Sequence, residues 1–135
     1  MKKLKSFFRA SSQDGDSEKP EAFPWIPLEG LEQLEPLRDT PGRPRVIFKH
    51  STRCGLSGMM LRRFQQNWDQ ARDQADFYLL DLVRYRDLSD AISRHLEIPH
   101  QSPQVLIVEG GQVRDHDSHG GIDRLRPDPE SKNPA

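Results

Sequence analysis

Three apolar runs of strand length, separated by helix-length amphipathic stretches, limit the folds open to this chain. The runs are Arg45 to His50, Asp76 to Val83, and Gln104 to Glu109. After Cys54, the residues Leu56, Met60, Leu61, Phe64 and Trp68 recur at helical spacing and predict a helix with one buried stripe. After Asp87, the residues Leu88, Ala91, Ile92 and Leu96 do the same. Strands alternating with helices predict parallel pairing, because a crossover helix carries the chain back to its starting end. Gly110-Gly111, after the last run, predicts a hairpin turn with Gln112 to Asp117 as the returning strand. The expected sheet is therefore mixed and four-stranded, with helices on its faces.

The flanks read differently. Residues 1 to about 22 lack apolar periodicity and are rich in Ser, Asp, Lys and Gly, which predicts a tail. Phe7 and Phe8 leave open a short docking or membrane-surface segment there. Phe23 to Pro27 marks the edge of the fold, with Trp25 as an anchor. Leu28, Leu31, Leu34 and Leu37 predict a short amphipathic helix, troubled by Pro36 and ended by Thr40 to Pro44. Gly120-Gly121 precedes a last short helix, Ile122 to Leu125; its bare amides could meet a carboxylate or simply turn the chain. Pro127 to Ala135 is again tail-like, so the domain spans 23 to 126.

Lys plus Arg number 20 against 21 Asp plus Glu, a net charge of −1 that offers no basic surface for nucleic acid. No apolar run is long enough to cross a membrane as a helix. The basic start, Met1 to Arg9, has too short an apolar part for a signal peptide, so the expected compartment is the cytoplasm. One cysteine can close no internal disulfide and is too few for a zinc site, and the five histidines show no ligand spacing. The three methionines read as adaptable core filler rather than metal ligands.

The chemistry-bearing stretch is Phe48-Lys49-His50-Ser51-Thr52-Arg53-Cys54-Gly55-Leu56-Ser57. It delivers the single thiol to the first turn of a helix. Unpaired amides and the macrodipole favour negative charge there, and a thiolate is the better nucleophile. Cys54 could instead be a small buried hydrophobe, but its polar, turn-forming neighbours argue for reactivity. Ser57 either hydrogen-bonds a thiolate or bonds within its helix. His50 either supplies charge and a proton path or is structural. Lys49 alternates with His50 and is expected to point away from the site, into solvent. Arg84 and Arg86 read as solvated, with anion binding as the lesser option. His100 and His119 receive no role.

A mixed sheet covered by helices, with a cysteine after its first strand, is the thioredoxin-like arrangement. Three stretches sharpen this: Phe48 to Cys54 with Ser57; Asp81 to Ser89; and His100 to Ile107 with Ser118-His119. In this order they resemble the YtxJ-type monothiol bacilliredoxins, a thioredoxin-like family tied to bacillithiol. The resemblance spans roughly Trp25 to Ile122. It implies Cys54 as the catalytic thiol, with His50, Thr52, Arg53, Gly55, Ser57, Ser102 and Pro103 around substrate or thiolate. It also implies a cis bond at Ser102-Pro103, where residues alone favour an ordinary trans proline. The family usually carries proline directly after the cysteine; here Gly55 stands there and leaves the turn looser.

The function implied is a monothiol disulfide reductase acting as a monomer. Its partners are S-thiolated client proteins and a low-molecular-weight thiol, with bacillithiol as co-substrate and no tightly bound cofactor. Two alternatives stand beside it. Cys54-Gly55-Leu56-Ser57 is close to the Cys-Gly-Phe-Ser site of monothiol glutaredoxins, which implies a 2Fe-2S cluster carrier. The other is a non-catalytic thioredoxin-like adaptor with a regulatory thiol.

Overall fold

The computed structural model describes residues 22–34 and 43–127. The remainder of the expected tails, Leu37 and the Thr40 to Gly42 part of the expected turn lie outside the described residues. In chain order the elements are β1 (Trp25–Pro27), β2 (Arg45–His50), α1 (Gly55–Asn67), β3 (Asp76–Asp81), α2 (Arg86–Leu96), β4 (Gln104–Glu109) and β5 (Gln112–Ser118). Short 3-10 turns cover Leu31–Leu34, Asp69–Ala71 and His119–Arg124.

The sheet has five strands in the order β1-β3-β2-β4-β5. The four-stranded expectation missed β1, an edge strand of three residues that pairs parallel to β3 from Trp25↔Phe77 to Pro27↔Leu79. So short a strand has no alternation to read, and Pro27 disguises it as a turn. The expected helix through Leu28 and Leu34 is a single 3-10 turn instead, because Leu28 N–H still donates to Leu79 O at 2.9 Å. Gln33 closes that turn, its Oε1 accepting from the amides of Glu29 and Gly30 at 2.8 and 3.0 Å.

Strand β2 is the axis of the sheet. It runs parallel to β3, from Arg45↔Asp76 to His50↔Asp81, but antiparallel to β4, from Arg45↔Val108 to Lys49↔Gln104, so the parallel pairing expected of helix-linked strands stops at β4. Strand periodicity then sorts its side chains between two cores. Val46 and Phe48 join Met60, Phe64 and Trp68 of the α1 side, with Ile122 and Leu125 closing that core. Ile47 joins Leu80, Leu106 and Ile92 on the α2 side, where Leu88 and Leu96 pack. Aromatic rings fill the first core: Phe64 stacks on Trp68 at 5.0 Å, and Phe23 meets Phe77 edge-on at 4.7 Å. Trp25 anchors the edge as expected, its Nε1–H donating to Gln65 Oε1 at 2.6 Å.

The Gly-Gly turn forms as read, with φ of 63° and 80° at Gly110 and Gly111, the left-handed pair that a two-residue hairpin needs. The last expected helix is the 3-10 turn His119–Arg124, held to α1 where the Arg63 guanidinium donates to the Asp123 carboxylate at 2.7 Å. Pro127 is tied in too, its carbonyl accepting from Arg114 at 3.3 Å.

Candidate functional site

Cys54 caps the 13-residue helix α1 from an extended backbone conformation (φ −115°, ψ 119°). Its own N–H donates to Ser51 O and its carbonyl accepts from Gly58 N–H, both at 3.2 Å, so the turn that presents the thiol is closed on both sides. Cys54 is half-buried, and its side chain makes no capping hydrogen bond. It sits where the unpaired first amides and the dipole of α1 favour negative charge.

Gly55, the first helical residue, has open space where a Cβ would stand. Its glycine is therefore not demanded by packing. The extended conformation of Cys54 is also the one that a following proline prefers. Gly55→Pro should raise stability by about 0.5–1 kcal/mol through the unfolded chain. Urea unfolding of the two proteins checks this; a loss of stability would show that the turn needs glycine.

Ser57 is wholly buried and does neither of the two things expected of it. Its Oγ accepts from Ser51 N–H at 3.0 Å and pairs with His50 Nδ1 at 2.7 Å, so it pins the loop and the end of β2 together. Burial lowers the His50 pKa below its ordinary 6.5, with Asp81 opposing. At neutral pH the ring is therefore uncharged, a hydrogen-bonding group rather than a fixed cation near the thiol. Thr52 and Arg53 are exposed on the loop.

One step beyond the Lys49↔Gln104 pair lie His50 on β2 and Pro103 before β4, which brings Pro103 to the loop that carries Cys54. The Ser102–Pro103 bond is cis, as the resemblance implied. Pro103 is buried, and its carbonyl already accepts from His119 N–H at 3.0 Å. Ser102 is half-buried, and its Oγ has no hydrogen-bond partner.

Lys49 corrects the expectation of a solvent-facing side chain: it is 0% exposed. Helix α2 lies across that face of the sheet and supplies the partners a buried ammonium requires. Nζ donates to Ser89 O at 3.2 Å and Ser93 Oγ at 2.8 Å, and lies 3.4 Å from His100 Nδ1. Ser89 Oγ is 3.1 Å from the same ring nitrogen. Burial pulls the Lys49 pKa from 10.5 to about 8, while Asp90 opposes. The His100 pKa is lowered by burial and by Lys49, so the ring stays neutral and accepts. Sequence reading missed this cluster because its members are 40 to 51 residues from Lys49 along the chain.

His50 and Thr52 also line a cleft of about 230 Å³ with Trp25, Asp81 and Arg84, on the β3 side of the thiol loop. Among the described residues, no cluster of three His, Cys, Asp or Glu side chains is placed to hold a metal. No helix there is long and apolar enough to cross a membrane.

Solved structures with this architecture share its fold. A protein with a thioredoxin fold, to which an oxidoreductase role is ascribed, is 29% identical with a TM-score of 0.65, over 74% of this chain and 87% of that one. The thioredoxin of Malassezia sympodialis is 21% identical with a TM-score of 0.59, over 84% and 87% of the two chains. The thioredoxin of Trypanosoma brucei brucei is 16% identical with a TM-score of 0.58, over 75% and 84%. The latter two likenesses speak for the fold alone. The family model described as Monothiol bacilliredoxin BrxC matches residues 26–126. That span holds the whole sheet except Trp25, both helices and the thiol, and it supports a thiol redox role. With its one cysteine at the start of α1, the chain belongs to the monothiol bacilliredoxin family.

Proposed function

We propose that this protein is a monothiol disulfide reductase that removes bacillithiol from client proteins in the cytoplasm, working as a monomer. The observation that carries the reading is the placement of the only cysteine: half-buried, at the N-terminus of a 13-residue helix, on the loop that the sheet register brings to Pro103, in a chain of this family.

The client carries bacillithiol as a mixed disulfide. Cys54 attacks as thiolate at the bacillithiol sulfur. A bond forms between Cys54 Sγ and that sulfur, the old S–S bond breaks, and the client leaves as a thiolate that takes up a proton. No second cysteine can resolve the adduct internally. A free low-molecular-weight thiol, as thiolate, then attacks the bacillithiol sulfur. Cys54 leaves with its electron pair, and the small thiols depart as their own disulfide. An external reductase could serve the same reset. Each exchange depends on thiolate fraction, nucleophilicity and access.

The iron–sulfur alternative requires four cluster ligands. Of these, one chain offers a single cysteine. A cluster would therefore have to bridge two copies of the chain, each giving Cys54 beside a small thiol; a brown protein that dimerises on reconstitution would favour that reading over the reductase.

The test is intact-mass analysis after exposure to oxidised bacillithiol and, separately, to oxidised glutathione. A fast, selective bacillithiol adduct that reduced thiol removes is the expected result. A glutathione preference would move the protein to a glutaredoxin-like role. Slow reaction with both would favour the adaptor.

A further inference from the structure

The sheet order places β2 between β4 and β3, so the Cys54 loop has two flanks. Pro103 occupies the β4 flank. The cleft of about 230 Å³ occupies the other, beyond the carboxyl ends of the parallel strands β1, β3 and β2. That end of an open sheet is where α/β folds bind small ligands. We infer that this cleft holds the non-sulfur part of the small thiol during exchange at Cys54, with Arg84 taking a carboxylate and Asp81 an ammonium. The inference rests on the function proposed above and assigns the small thiol and the client to opposite flanks.

The volume equals roughly eight waters, enough for a small polar molecule. Leu28, Leu79 and the rings of Trp25 and Tyr85 form an apolar wall, while Glu29, His50, Asp81 and Arg84 supply the polar groups, Glu29 as a second carboxylate at the exposed rim. The Arg84 guanidinium lies 5.6 Å from the centre of the Tyr85 ring, which steadies it as a flat anion receptor. No described residue forms an ion pair with it. Asp81 is fixed by Val83 N–H, which donates to its Oδ1 at 3.1 Å. His50 and Thr52 line the cleft, and Cys54 follows two residues after Thr52 on the same loop.

Two measurements on the full chain test this. The first compares thiolation of Cys54 by oxidised bacillithiol, which carries carboxylates and an amine, with thiolation by the uncharged hydroxyethyl disulfide. The ratio of the two rates should fall about fivefold in Arg84→Gln, the loss expected of one solvent-accessible ion pair. An unchanged ratio overturns the inference. The second is NMR on the Cys54–bacillithiol mixed disulfide. Contacts from the non-sulfur part of the small thiol to Tyr85 and Leu79 are expected; contacts to Pro103 and His119 instead would place the small thiol on the client's flank and overturn it. If wild type forms no selective bacillithiol adduct, the proposed function fails and the cleft assignment with it. If the adduct forms quickly but ratio and contacts fail, only the cleft assignment falls.

Discussion

Replacing Cys54 with serine should reduce release of bacillithiol from a client protein to background while leaving the fold intact. A hydroxyl forms no disulfide and is a poor nucleophile without an adjacent base. Activity therefore has no second route, since the chain has one cysteine. The fold should survive for a separate reason. Cys54 makes no capping hydrogen bond and is only half-buried, so the change leaves no large cavity. Serine is also a better helix cap than cysteine, and the variant should be as stable as wild type or more so by about 0.5 kcal/mol. Mass spectrometry of a bacillithiolated client measures the first expectation, and urea unfolding the second. Full activity in a folded variant would sink the mechanism. Loss of activity together with loss of fold would show that the thiol is a structural group.

The alkaline limb of stability should belong to Lys49. Its pKa is about 8 in the fold against 10.5 in the unfolded chain, so between these values the unfolded state binds more protons. Stability must then rise with pH across that window, and the Lys49 contribution is lost as pH falls from 10.5 through 8. The shift corresponds to about 3 kcal/mol. Subtracting the profile of Lys49→Met isolates it, because the hydrogen bonds that this variant loses do not themselves titrate in that range. The difference in unfolding free energy between the two proteins should move by about 3 kcal/mol in favour of wild type from pH 7.5 to pH 10.5. A difference that stays flat with pH would mean that the amine is not desolvated as the fold shows. The cluster also joins the strand leading to Cys54 with α2 and with the segment that ends at Pro103.

Periodicity made much of the architecture readable. Alternation along Arg45–His50 and the helical stripes of α1 and α2 announced a sheet covered on both faces, and Gly110-Gly111 announced the hairpin, because each signal lies within one element. The position of Cys54 at a helix start followed from the same local logic. The edge strand Trp25–Pro27 was not readable, since its strand character comes from the partner β3 rather than from its own residues. The 3-10 turn at Leu31–Leu34 stood behind a misleading leucine spacing for the same reason: the sheet claims the backbone of Leu28 first.

The site divides along the same line. Sequence alone determined that any disulfide chemistry of the one thiol involves a second molecule, and that the thiol stands on a turn between a strand and a helix. Only tertiary structure decided what surrounds it. Ser57 is spent on His50 and Ser51 instead of the thiol, because helix α1 packs its first turn against the end of β2. Lys49 alternates away from His50 as expected, yet α2 covers that face and turns an expected surface cation into a buried one. The cleft beside Thr52 draws on β1, β2, β3 and the loop that leads into α2. Each of these outcomes depends on which elements meet across the sheet, and contacts between distant segments leave no periodic trace in the chain that forms them.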